Sequence, residues 1–219
     1  MIKAAIFDMD GTFLDSMPYW LSVGNILLTN LKITPEKNLG EKLLSMTMDE
    51  GALYLIKNYN LPYSLNEISE MINEILKYLY KNTILPKEGA IEFIKDLKKS
   101  GTKIAVCTNT DRLLFWPAFL RLNLSSLFDI ILTTKEFGSS KETPEIFFHL
   151  AEKLGAKPEE TWVFEDALYS IKTAANANFK TAGIFDKSSQ KDKNEIQKIA
   201  TKYFLNYNEI KSFFLQETK

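Results

Sequence analysis

Apolar and polar positions along the chain follow two rhythms. Short, mostly apolar runs at residues 2–7, Lys103–Cys107, Asp129–Leu132, Thr161–Phe164 and Lys180–Phe185 are bounded by polar or glycine-containing segments, and each predicts a buried strand. Between most of them apolar residues recur at helical spacing. In Glu88–Lys99 they are Ala90, Phe93, Ile94 and Leu97, at i, i+3, i+4 and i+7, ahead of a Ser100-Gly101 stop. Asp111 stands where it can cap a helix reaching Leu122, with a kink expected at Pro117. Thr143-Pro144 opens another helix, whose apolar Ile146, Phe147, Leu150 and Leu154 precede Gly155. Strands alternating with helices predict an α/β fold built on a Rossmann-like parallel sheet.

Residues 16–82 interrupt that alternation, because helical patterns follow one another there with no clear strand candidate between them. The clearest spans Ser64–Tyr80: Ser64 and Glu67 have capping-box spacing, and Ile68, Met71, Ile72, Ile75, Leu76 and Leu79 recur at helical spacing. The chain is therefore expected to divide into a core, residues 1–15 and 83–219, and an inserted all-helical cap domain, residues 16–82. The insertion begins one short loop after Asp8-Met9-Asp10 and ends near Ile84-Leu85-Pro86, so both connections are placed to act as hinges.

Composition narrows the chemistry. The 27 Lys+Arg and 28 Asp+Glu leave a formal charge of −1. Arg112 and Arg121 are the only arginines, and no nucleic-acid partner is expected of so balanced a chain. With 45% hydrophobic residues, 219 positions suffice to bury a sizeable core. One cysteine, Cys107, excludes an internal disulfide, and one histidine, His149, excludes metal sites built on two or more histidines. No apolar run is long enough to span a bilayer, and the N-terminal run meets Asp8 too early for a signal sequence. The expectation is a cytoplasmic monomer with no membrane partner, in which Asp and Glu carry the chemistry.

In an open α/β sheet, ligands bind beyond the carboxyl ends of the strands. Those ends deliver Asp8-Met9-Asp10-Gly11-Thr12, Thr108-Asn109, Lys141 in the loop after the third strand, and Glu165-Asp166. Acids converging in one crevice repel each other unless a cation compensates, and oxygen ligands without a nearby histidine suit Mg²⁺.

The pattern Asp8-x-Asp10-Gly11-Thr12, Thr108, Lys141 and Glu165-Asp166, in that order, resembles the haloacid dehalogenase superfamily of phosphatases and phosphomutases. The first motif alone has a chance frequency of about 10⁻³ over a chain of this length. The inserted helices resemble the cap of the subgroup holding β-phosphoglucomutase-like and phosphoglycolate-phosphatase-like enzymes. The resemblance implies that Asp8 attacks phosphorus and forms an aspartyl phosphate, and that Asp10 serves as acid and then base. It implies Mg²⁺ held by the Asp8 carboxylate, the Asp10 carbonyl and Asp166, with Glu165 binding directly or through water. Lys141 and Thr108 would hold the phosphate, with Gly11, Thr12 and Asn109 around it, and the substrate would be a small phosphorylated metabolite.

Some positions depart from the family pattern. Glu142 follows Lys141 where proline is usual, Lys135 is a second lysine nearby, and Ala167, Ser170 and Asn178 stand where a serine and glycines are usual. Trp20 stands where the phosphoglucomutase pattern has a histidine, which disfavours a mutase, and the presence of Asp10 disfavours dehalogenation and phosphonate cleavage. A sugar-phosphate mutase and a catalytically inactive phosphate- or metal-binding module remain the alternatives.

Overall fold

A computed structural model describes residues 2–216. The apolar runs form five parallel strands: β1 (Ala4–Phe7), β2 (Lys103–Thr108), β3 (Ile130–Thr133), β4 (Thr161–Glu165) and β5 (Lys180–Ile184). A sixth, β6 (Lys202–Phe204), pairs with β5, giving the order β3-β2-β1-β4-β5-β6. The sequence pattern did not disclose β6, because it is three residues long and buries only Phe204. The order reverses between β1 and β4, where successive strands leave on opposite sides and open a crevice at their carboxyl ends.

Both faces of the sheet are covered, which is why its strands read as continuous apolar runs. On one face Ile6 and Val163 pack with Ile146, Phe147 and Leu150 of the helix Glu145–Lys153. On the other, Phe7 and Phe164 are register partners whose rings stack at 4.2 Å. Phe93, from the helix Ala90–Lys99, meets both rings edge-on. Lys187–Asp192 is a 3-10 helix that leads directly into the helix Lys193–Ile199.

Contacts separate the chain into two units. One comprises Met1–Asp15, Leu85–Arg112 and Leu122–Lys219 and contains the sheet; the other comprises Ser16–Ile84 and Leu113–Arg121. The second unit is all helical, with Met17–Asn30, Leu39–Leu44, Met48–Tyr59 and Leu65–Asn82 in succession. The capping box at Ser64 and Glu67 is formed in both directions. Within this unit Trp20 Nε1 donates to the Tyr80 hydroxyl at 3.0 Å, and Arg121 donates to the carbonyls of Tyr80 and Ile84.

Candidate active site

The loop after β1 is shaped by Gly11. Its φ of 78° lies in the left-handed region open to glycine, and its amide donates to the Leu14 carbonyl at 3.0 Å. The chain thus turns back directly after Asp8 and Asp10. The Asp8 amide donates to the Phe164 carbonyl at 2.9 Å, so β1 and β4 stay paired up to the residues that carry the carboxylates.

Asp8, Glu165 and Asp166 bring carboxylate oxygens within 4.8 Å of one another, and all three are buried. Lys141 is 2% exposed and donates to Asp8 and, at 3.0 Å, to Glu165 Oε2. Glu165 is saturated: Oε2 also accepts from Ser170 Oγ at 2.7 Å, and Oε1 accepts from the amides of Asp166 and Ala167 at 3.1 and 3.2 Å. Asp166 takes one hydroxyl on each oxygen, Thr12 Oγ1 at 3.0 Å and Ser189 Oγ at 3.1 Å. Each of its oxygens retains accepting capacity.

The electrostatics follow from this crowding. Burial, reinforced by Glu165 and Asp10 and opposed by Lys141, pushes the Asp8 carboxyl up to about 7. Burial and the charges of Glu165 and Asp8 hold Asp166 well above the usual carboxylate range. For Lys141 burial works in the lowering direction, but Asp8 and Glu165 outweigh it and keep the ammonium well above the ordinary lysine value. Three buried carboxylates against one ammonium leave two negative charges when all are ionised, the charge that one divalent cation cancels. The donor set is all oxygen, which fits a hard cation.

The other predicted site residues have these places. The Asp10 carboxylate lies outside the three-carboxylate cluster and accepts from Thr110 Oγ1 at 2.7 Å. Thr108 Oγ1 is buried and accepts from the Thr110 amide at 3.1 Å. Asn109 is exposed and donates through Nδ2 to the Tyr169 hydroxyl at 2.7 Å. Thr12 turns its hydroxyl to Asp166, and its carbonyl accepts from the Tyr207 hydroxyl at 3.0 Å. Lys135 is exposed and pairs with Asp111, whereas Lys141 is enclosed among the acids. Cys107 is buried and its thiol is pushed up to about 12, chiefly by burial, so it is no nucleophile.

Several residues around the acids went unnoticed or carried no role in the sequence reading. Thr110 sits two positions past Thr108, a spacing that suits a threonine turn and was available as a signal. Ser170 stood out only as a departure from the family pattern. Ser189 lay in a lysine-rich stretch with nothing to distinguish it.

The family described as Haloacid dehalogenase-like hydrolase matches residues 5–184. A phosphorylated carbohydrates phosphatase of Thermotoga maritima is 24% identical over 179 residues, covering 82% of this chain and 83% of that protein. A glyceraldehyde 3-phosphate phosphatase of Pyrococcus furiosus is 28% identical over 204 residues, covering 82% of this chain and 79% of that protein. Among solved structures, β-phosphoglucomutase from Clostridium difficile superposes with a TM-score of 0.74 at 24% identity, covering 99% of this chain and 96% of that one, a likeness of fold. With the match running from β1 through β5 and the acidic cluster at the sheet's reversal point, the chain belongs to the haloacid dehalogenase-like hydrolases.

Proposed function

We propose that the protein is a Mg²⁺-dependent phosphatase that hydrolyses a small phosphomonoester, of the phosphorylated-sugar class, through a phosphorylated Asp8. The observation that carries this reading is the enclosure of Asp8 between Lys141 and the Glu165-Asp166 pair. Asp8 and Asp166 would hold the cation through carboxylate oxygens and Asp10 through its carbonyl. When bound, the cation screens the repulsion between carboxylate and phosphate and stabilises charge in the transition state. Glu165, with its acceptor positions filled, holds Lys141 in place rather than binding the cation itself.

An Asp8 oxygen attacks phosphorus as the bond to the ester oxygen breaks, and Asp10 gives its proton to the departing alkoxide. Water then attacks the phosphorylated Asp8, Asp10 takes the proton back, and inorganic phosphate leaves with Asp8 restored. The Thr110 hydroxyl donates to Asp10 Oδ2 and holds that carboxyl in place. The Lys141 ammonium supplies fixed positive charge against the phosphoryl oxygens.

Relatives named for action on phosphorylated carbohydrates and on glyceraldehyde 3-phosphate support the substrate class. Trp20, in place of the mutase histidine, supports hydrolysis over transfer. In this reading the helical insertion, residues 16–82, is a cap domain and the sheet-containing unit is the catalytic core. The test is hydrolysis of p-nitrophenyl phosphate with and without Mg²⁺, followed by a panel of sugar phosphates compared by kcat/KM. Turnover should require the metal and vanish in Asp8→Asn; full metal-dependent turnover by that variant would remove Asp8 as nucleophile.

A further inference from the structure

One partly buried ion pair in the sheet-containing unit has no place in the chemistry above. Lys87 Nζ lies 2.9 Å from Asp186 Oδ2, with side chains 17% and 7% exposed, and it also donates to the Phe185 carbonyl at 2.8 Å. Burying such a pair costs desolvation that Coulomb attraction seldom repays in stability alone.

The pair sits at the carboxyl ends of the strands. The Lys87 amide donates to the Phe13 carbonyl at 2.9 Å, which ties Lys87 to the loop carrying Asp10, Gly11 and Thr12. Asp186 immediately follows Phe185 at the end of β5 and is the N-cap of the 3-10 helix Lys187–Asp192. Its Oδ1 accepts from the Ser188 amide and hydroxyl at 2.8 and 2.6 Å, leaving Oδ2 for Lys87. The turn so fixed delivers the next residue, Ser189, whose amide donates to the Asp186 carbonyl at 3.2 Å and whose hydroxyl donates to Asp166 Oδ2 at 3.1 Å. Lys87, Asp186 and Ser189 thus form a continuous chain of contacts ending on an Asp166 oxygen, while Thr12 occupies the other oxygen.

We infer that Lys87, Asp186 and Ser189 are positioning residues that set the orientation of Asp166 for cation binding, an inference that rests on the metal-dependent reading of the site. None of the three touches the reacting atoms. Lys87 and Asp186 act through the 3-10 turn, and Ser189 acts by a direct bond that aims the remaining accepting capacity of Oδ2. Outer partners of this kind are worth roughly 10–100-fold in metal affinity.

The test is calorimetric titration of the EDTA-stripped protein with Mg²⁺, for wild type, Ser189→Ala, Lys87→Met and the double variant, with circular dichroism as the check on folding. Ser189→Ala removes one hydroxyl from a partly exposed turn and keeps the test open if Lys87→Met fails to fold. Each single change should weaken Mg²⁺ binding roughly tenfold. The double variant should be no weaker than the weaker single one, because both interrupt the same chain of contacts. Lys87→Arg should recover most of the affinity, and KM for p-nitrophenyl phosphate at saturating Mg²⁺ should stay at the wild-type value. Unchanged Mg²⁺ affinity in Ser189→Ala, or losses that multiply in the double variant, would overturn the inference and leave the phosphatase reading standing. Wild type that binds Mg²⁺ with this pattern of losses but hydrolyses no phosphomonoester would sink the phosphatase reading and support the positioning role. Wild type that hydrolyses phosphomonoesters without binding Mg²⁺ would end both the positioning role and the metal-dependent mechanism.

Discussion

Replacing the proposed nucleophile should make the cation-free protein more stable. Asp8 is 8% exposed and its carboxyl is pushed from the ordinary 3.8 up to about 7, by burial first and then by Glu165. A raised carboxyl binds its proton more tightly in the folded chain than in the unfolded one. The stability it contributes is therefore complete below about pH 4 and is lost as pH rises through 7. The loss amounts to about 4 kcal/mol once Asp8 is fully ionised, with about half of it reached near pH 5.5. Asp8→Asn keeps the shape and carries no titrating proton, so this loss is absent from the variant. Urea unfolding followed by circular dichroism in EDTA should show the variant ahead of wild type by up to about 4 kcal/mol at pH 8, with the gap closing toward pH 4. Mg²⁺ should then raise wild type by about 2.7 kcal/mol at a hundredfold excess over Kd while leaving the variant nearly unmoved. Asp8→Asn that is no more stable than wild type in EDTA at pH 8, or a gap that persists unchanged at pH 4, would refute the argument that the site is strained by its own uncompensated charge.

Phe164→Ala should cost roughly 3–5 kcal/mol in chemical denaturation, because the ring is fully buried and stacked on Phe7; a loss under 1 kcal/mol would show that the core collapses into the space. Cys107 should react with a thiol reagent at pH 8 only as fast as the protein unfolds, its thiol being buried and pushed up to about 12, and rapid labelling of native protein would contradict that placement. Asn178 has φ of 64°, so Asn178→Ala should cost roughly 1 kcal/mol and Asn178→Gly should be neutral or stabilising in thermal melts, the reverse order being the adverse result.

Much of the molecule could be read without coordinates, and the reason is locality. The strand runs, the capping box at Ser64 and Glu67, and the helix over Ala90–Lys99 are written within a few residues of one another, where periodicity and capping chemistry act. Asp8-Met9-Asp10 and Glu165-Asp166 were legible for the same cause, since each places its acids at the end of one strand. Asn178 illustrates a substitution that local chemistry accommodates: asparagine tolerates the left-handed conformation adopted there, where the family pattern has glycine.

The arrangement of the site was decided elsewhere. By itself the sequence determined an α/β sheet with helices inserted after its first strand, and a set of carboxylates at the strand ends with no histidine among them. Tertiary structure encloses Lys141 between Asp8 and Glu165 and leaves Lys135 exposed beside Asp111, a difference in burial that two lysines alike in the chain do not disclose. It joined Thr110 to Asp10 across 100 residues, turned Thr12 toward Asp166, and brought Lys87, Asp186 and Ser189 to the same crevice. Hydroxyls and lysines are common in sequence and carry no signal of their own. They acquire a role only when the order of strands in the sheet brings their loops together and excludes water from the charges they hold.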